Sequence, residues 1–450
     1  MRRPNVLVIT CHDLGRYLGC YGRSTVVSPH LDRLAADGVR FERAFCTAPQ
    51  CSPSRASLFT GRYPHCNGVL GLTHANFAWD LHPGERHLAQ ELADGGYATA
   101  LVGVHHESRN RGGTEALMRR CGYDRVLPAG RAPVVTANAL GVLREYAQEE
   151  RPFFLQVGYV EPHRLQGPQE QGFMGFCSDY MQPDRQRGVE VPPYLRDTEG
   201  SRAEVAELQG AVRYVDAAIG ELLAALGPLG LDEDTLVVFT PDHGVALPRA
   251  KCALYDPGIE VALVVRWPRR GWRGGRATDA LVSNLDVFPT ILEAAGCTPS
   301  ASIQGRSLCA QLDGDGTPDR DAVFAEMTYH DYYDPRRCIR TDRHKLILNF
   351  TAAPAFMDPS QSWRPRSDTV VPANHAVAYH PLVELYDLER DPHERDNRAD
   401  QDEEREVRRS LLARLAGWMA ETADPLLQGA VTPPIHRWAL DALDAAGAQG

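Results

Sequence analysis

Short apolar runs separated by longer amphipathic stretches organise this chain. Residues 6–10, 98–103, 153–157, 236–240 and 262–266 are rich in Val, Leu, Ile, Phe and Ala and carry few polar side chains. Such runs predict strands buried on both faces. Elsewhere the period changes: Val205, Leu208, Val212, Val215, Ile219, Leu222 and Leu226 recur at spacings of three and four, which predicts a long helix with one apolar stripe. Ser28-Pro29 marks another helix start, with serine as N-cap and proline in the first turn, and Gly38 marks its end. Strand and helix patterns in alternation predict an α/β fold, a large mostly parallel sheet flanked by helices.

From Cys338 onward the texture is of short alternating segments, 338–340 and 345–348, which predicts a smaller C-terminal α+β subdomain with its own antiparallel sheet. The expected division is residues 1–335 and 336–450. A polar, proline-bearing stretch at 352–373 reads as a surface loop, and a helix at 404–421 is expected to close the chain. Repeats and low-complexity tracts are absent.

With 450 residues, 43% apolar and 24% charged, the chain is long enough to bury a large core. A formal net charge of -11 argues against nucleic acid as a partner, but leaves open a small anionic substrate, which responds to local charge. Eleven cysteines, an odd number without C-x-x-C spacing, point to thiols rather than a disulfide framework. No apolar run reaches membrane-spanning length, so the expectation is a soluble protein without membrane association, cytoplasmic unless an export signal precedes it.

Polar residues fall where the predicted strands end. His12 and Asp13 follow the first, His105, His106 and Glu107 the second, Glu161 and His163 the third, Asp242 and His243 the fourth. In open α/β sheets the ligand site lies beyond the carboxyl ends of the strands, so these groups are expected on one rim. Cys51-Ser52-Pro53-Ser54-Arg55 runs into Ala56-Ser57-Leu58-Phe59-Thr60-Gly61, which reads as a short helix closing at glycine. That places Cys51 at a helix N-terminus, where free N–H groups favour an anion.

Cys51 to Arg55 resembles the C-x-P-x-R signature of the formylglycine sulfatases, of the alkaline phosphatase superfamily. Arg3-Pro4-Asn5-Val6-Leu7-Val8, Thr60-Gly61-Arg62-Tyr63-Pro64, Pro241-Asp242-His243-Gly244, Asn284-Leu285-Asp286-Val287-Phe288-Pro289-Thr290 and Glu384-Leu385-Tyr386-Asp387-Leu388 resemble further motifs of that family, in the family's order. Pro152-Phe153-Phe154-Leu155, Glu161-Pro162-His163-Arg164, Tyr332-Tyr333-Asp334-Pro335 and Trp418-Met419-Ala420-Glu421-Thr422 are most similar to the sulfamidase group within it.

The resemblance implies a hydrolase in which a formylglycine-generating enzyme oxidises Cys51 during maturation. The formylglycine hydrate then attacks sulfur, with Arg55 steadying it. By the same resemblance Asp13, Asp242, His243 and the modified Cys51 hold a divalent metal, commonly calcium. His163 and Lys251 protonate the leaving group, and His106 assists sulfate expulsion. Two positions depart from the pattern. His12 stands where the family often has an aspartate, which softens the site, makes manganese a competitor to calcium, and leaves His12 as ligand or neighbour. Val104 stands where the family usually has lysine, so either Arg249, His105 or the metal compensates, or the enzyme is slow.

The implied reaction is hydrolysis of a sulfate ester or sulfamate, of a sugar by the sulfamidase-like segments. Phosphonate monoester hydrolases and phosphodiesterases share the architecture and are the alternative. A non-catalytic binder of sulfated glycans is disfavoured by the nucleophile precursor Cys51. The substrate pocket is expected from loops 110–120, 164–195 and 352–373. A homodimer is the candidate assembly.

Overall fold

The computed structural model describes residues 3–109, 112–166, 174–299, 303–314, 320–353, 366, 367, 369, 370 and 379–447. β1 (Asn5–Cys11) runs through the larger sheet, and its successive residues feed two different apolar layers. Val6 and Val8 enter one cluster while Leu7 and Ile9 enter the other, all fully buried. That is why the run shows no alternation of apolar and polar residues. The remaining strands up to the subdomain are β2 (Val39–Phe45), β3 (Ala98–Gly103), β4 (Arg125–Leu127), β5 (Phe153–Gly158), the small hairpin β6 (Leu165–Gln166) and β7 (Met174–Gly175), β8 (Thr235–Pro241), β9 (Glu260–Arg266) and β10 (Arg276–Ser283). Apart from the hairpin they form one sheet of order β10-β2-β9-β8-β1-β5-β3-β4. β9 is antiparallel to both its neighbours, and every other pair is parallel.

Helices cover both faces. Pro29–Asp37, Ala132–Tyr146 and Glu199–Ala224 pack on the Leu7 face, the last through the predicted stripe from Val205 to Leu222. Cys51–Thr60, Leu88–Asp94 and Val287–Ala295 contribute Leu58, Phe59, Leu88, Ile291 and Leu292 to the opposite layer. No helix among the described residues is long and apolar enough to cross a membrane. All eleven cysteines are free thiols.

The smaller sheet is antiparallel, in the order β11 (Ala322–Tyr329), β12 (Tyr333–Thr341), β13 (His344–Asn349), β14 (Val383–Asp387). It begins upstream of the expected division: β12 itself spans residues 335 and 336, and β11 depends on β12 for its ladder bonds. Helix Arg405–Glu421 covers this sheet with Leu411, Leu415, Trp418 and Met419. It does not close the chain, because a further helix, Pro434–Gly447, follows. Of the three loops expected to shape the pocket, residues 110–111, 167–173, 354–365, 368 and 371–373 lie outside the described residues.

A buried ionic cluster ties the smaller sheet to the segment after the Cys51 helix. Arg337 Nη2 donates to Asp424 Oδ1 at 3.0 Å and lies 3.3 Å from Glu326 Oε2, while His65 Nδ1 meets Glu326 Oε1 at 2.7 Å. Arg337, Glu326 and Asp424 are almost wholly shielded from water. Removing one partner strands the others, so Arg337→Ala should destabilise the fold by about 3–5 kcal/mol in denaturant titration. An unchanged midpoint would contradict that role.

Candidate active site

Because β1, β2, β3, β5, β8 and β10 run the same way, their carboxyl ends share one rim, and β9 returns to it by its amino end. His12 and Asp13 leave β1, residues 46–51 leave β2, His105 and His106 leave β3, His163 follows β5, Asp242 and His243 leave β8, and Asn284 leaves β10. Lys251 arrives on the loop between β8 and β9. The local backbone is unusual at two of these points: Asp13 and His106 adopt left-handed conformations, φ 50° and 64°. Residues held in that region cost energy and concentrate at functional sites.

Cys51 is the first residue of helix Cys51–Thr60, which ends at Gly61 in a left-handed turn, φ 67°, with the Gly61 N–H donating to Ser57 O. Phe288 crowds the place a Cβ would take at Gly61, 3.0 Å away, so that turn needs glycine. The helix is anchored by the side chains after the cysteine. Ser54 Oγ donates to Asp242 O, and Asn284 Nδ2 donates to Ser54 O and Ser54 Oγ at 3.1 and 3.0 Å. Arg55, fully buried, donates from Nε to Asp242 Oδ2 at 3.1 Å, from Nη1 to Thr10 Oγ1 at 3.0 Å and from Nη2 to Cys11 O at 3.3 Å. Arg55 thus welds the cysteine helix to the ends of β1 and β8.

Asp242 is the hub. Oδ1 accepts the Asp13 N–H at 3.0 Å and the His243 N–H at 2.9 Å, while Oδ2 lies 2.9 Å from His12 Nδ1, out of hydrogen-bond alignment. Burial alone would raise its carboxyl, but His243, His12 and Arg55 hold it well below the usual carboxylate range. Asp13 behaves likewise: burial opposes its charge, yet Lys251, His163 and His243 bring it down to about 2. Lys251 Nζ donates to both Asp13 oxygens at 2.9 Å and sits 3.3 Å from His163 Nε2. His163 Nδ1 is 2.6 Å from Arg164 O, so Nδ1 carries the proton and Nε2 accepts from Lys251. Burial, with Lys251 adding to it, pushes His163 down to about 3. Burial also pushes the Cys51 thiol up to about 12, against the pull of Lys251. Unmodified, Cys51 is therefore a poor thiolate nucleophile at neutral pH.

Two overlapping donor groups arise here: Asp13, Cys51, Asp242 and His243 in one, His12, Asp13, Cys51 and His163 in the other. Within each, the ligand atoms lie within 4.8 Å of one another. That is about twice a calcium–oxygen distance of ~2.4 Å, so one ion fits among them. Cys51 Sγ is 3.4 Å from His243 Nε2, which in turn is 3.2 Å from Asp13 Oδ1.

The structure brings Cys51, Arg55, Asp13, His12, Asp242, His243, His163, Lys251 and His106 to this rim. Arg249 is not among them: its guanidinium lies 3.6 Å over the Tyr255 ring and bonds Glu394 O in the smaller subdomain, so it brings no cation to the gap at Val104. His105 offers none either, since burial pushes it down to about 4. Glu161 serves elsewhere, accepting the Ala132 N–H at a helix start. Thr10, Ser54, Asn284, Thr73 and His74 also reach the site, with no role expected from the sequence. Asn284 lay within a quoted motif without a role, and the isolated His74 carries no spacing signal.

The sulfatase family profile matches residues 4–297, about two thirds of the chain. The chain belongs to the sulfatase family. It is therefore an enzyme, of the sulfuric ester hydrolase class. A second profile, N-sulphoglucosamine sulphohydrolase, C-terminal, matches residues 249–358. Human N-sulphoglucosamine sulphohydrolase is 30% identical over 465 residues, spanning 94% of this chain and 91% of its own length. Human arylsulfatase A is 29% identical over 434 residues, 88% and 83% of the two chains. The phosphonate monoester hydrolase of Agrobacterium radiobacter shares the fold, with a TM-score of 0.67 over 93% of this chain and 96% of that one, at 22% identity.

Proposed function

We propose that this sulfatase hydrolyses a sulfate ester or sulfamate of a sugar, with Cys51 matured to formylglycine and one divalent metal between Asp13, Asp242, His243 and residue 51. The observation that carries the reading is the placing of Cys51: a thiol too buried to ionise, at a helix N-terminus, within a carboxylate and imidazole donor set. Formylglycine as its hydrate supplies one hydroxyl to attack sulfur and a second to expel sulfate as the aldehyde returns. A bound dication supplies positive charge to the sulfate oxygens and lowers the pKa of the attacking hydroxyl.

The chain's own residues do the rest. Arg55 and Lys251 balance the charges of Asp13 and Asp242, so a dication leaves the site with net positive charge, matched to a sulfate monoester. Arg55 fixes Asp242, and Asp242 fixes Asp13 and His243 through their backbone N–H groups. Burial leaves His243 neutral, its pKa about 4, so its Nε2 is free of a proton for a metal when Nδ1–H donates to Gly244 O. Lys251 holds a proton beside His163 Nε2, and the pair is the acid for the departing oxygen or nitrogen. To His106, whose ring centroid is 5.2 Å from that of His12, we assign the assistance of sulfate release. Two carboxylates favour calcium, while imidazole at His243, with His12 close by, favours manganese.

Phosphonate monoester hydrolysis is the second reading, favoured by the fold shared with the Agrobacterium enzyme. Competitive rates on glucosamine N-sulfate, glycan O-sulfates, an aryl sulfate and a phosphonate monoester decide between them. The sulfate substrates are expected to lead, and a ranking led by the phosphonate overturns the proposal. His163→Ala should lower turnover of sugar sulfates or sulfamates on the order of 100-fold or more, yet spare nitrophenyl sulfate, whose leaving group needs little acid. Equal losses on both would remove His163 from the acid's role.

A further inference from the structure

The loop that follows the cysteine helix is fastened to the site at a point no motif marks. The Thr73 N–H donates to Ser52 Oγ at 3.1 Å, the two hydroxyls lie 3.2 Å apart, and Thr73 Oγ1 donates to His106 O at 3.0 Å. Ser52 is the residue after Cys51, so this loop cannot shift without disturbing the first turn of the cysteine helix. Thr73 is buried, whereas His74 beside it is open to solvent. The His74 ring is 4.7 Å from the His106 ring, His106 is 5.2 Å from His12, and His12 is 5.3 Å from His163. A row of four imidazoles thus crosses the rim, and His74 is its solvent-facing end. His106, against which it packs, comes two residues after Val104, which is buried and apolar.

Resting on the sulfatase reading, we propose that His74 is a substrate-contacting residue whose ring N–H donates to a sulfuryl oxygen held over residue 51, taking the place of the donor absent at 104. The geometry suits the role. Thr73, the residue before it, is pinned by three hydrogen bonds, and the exposed His74 ring is held against His106. A donor that meets developing negative charge in the transition state is worth on the order of 100-fold in rate when removed. Since the sulfuryl group is common to all sulfate substrates, His74 should matter equally for good and poor leaving groups, unlike His163.

The test measures kcat/KM on glucosamine N-sulfate and nitrophenyl sulfate, together with inhibition by inorganic sulfate, for the wild type, His74→Ala, His74→Gln, and His74→Ala combined with Val104→Lys. His74→Ala should lose roughly 100-fold on both substrates and bind inorganic sulfate at least about tenfold more weakly. His74→Gln keeps an N–H donor and should recover much of the loss, and lysine at 104 should restore activity to His74→Ala. Wild-type kcat/KM and sulfate inhibition in His74→Ala overturn the inference, as does a loss confined to one substrate. Equal losses in the Ala and Gln variants with equally lowered Tm make the role structural and also overturn it. A wild type that turns over no sulfate substrate defeats the sulfatase reading itself, whereas an active wild type matched by His74→Ala defeats this inference alone.

Discussion

Cys51→Ala should fold normally and lose turnover by roughly a millionfold, the scale seen when a covalent nucleophile is removed from an otherwise intact site. Residue 51 is 3% exposed, and among the described residues its one side-chain contact of hydrogen-bond type is to His243. Deleting one sulfur from such a place costs about 1 kcal/mol of stability, too little to unfold a chain of this size. The anchors of the helix, Ser54 and Arg55, do not depend on the cysteine. Near-native Tm with activity at background is therefore the expected pairing. Retention of even a hundredth of wild-type kcat in the alanine variant would mean that the nucleophile lies elsewhere.

The second large effect is expected at Asp242. Asp242→Asn keeps the shape of the side chain but removes the charge that faces Arg55, His12 and the backbone N–H groups of Asp13 and His243. Metal affinity should fall by more than about 100-fold, since even outer partners of metal ligands are worth 10–100-fold, and turnover should fall with it. Metal content of the purified protein, measured by elemental mass spectrometry alongside activity, reads both. His12→Ala separates two roles for the histidine: a strong loss of metal identifies a ligand, and an unchanged occupancy a neighbour. Full metal occupancy in Asp242→Asn would contradict the assigned donor set.

Much of this architecture is visible in the chain because burial on both faces leaves a plain mark. The runs at β1, β3, β5, β8 and β9 are continuous and apolar, and each is a strand. β2 is harder to see, because Arg40, Glu42 and Arg43 interrupt it and are satisfied by local pairing and by Asp342 of the smaller subdomain. β10 lies at the sheet edge, where Arg276, Thr278 and Asp279 reach water. β11 and β12, which lie on both sides of residue 335, are buried on both faces, so neither shows a period of two.

The site divides in the same way. Residues next to a strand end or inside a fixed-spacing motif, such as Asp13, Cys51, Arg55 and Asp242, can be read from the sequence. Thr73 and His74 cannot, because they sit on a loop that neither a strand end nor a motif marks. Arg249 shows the converse error: it lies two residues from Lys251, yet its left-handed backbone, φ 66°, goes with a side chain held on Tyr255.

In active enzyme, residue 51 is expected to be the aldehyde and not the thiol. Peptide mass spectrometry of the segment carrying Cys51, performed on preparations whose sulfate ester turnover is measured in parallel, tests it directly. Specific activity should rise in proportion to the fraction of residue 51 found as the aldehyde, and should extrapolate to zero where that fraction is zero. Full activity in protein whose residue 51 is entirely the unmodified thiol would contradict the account.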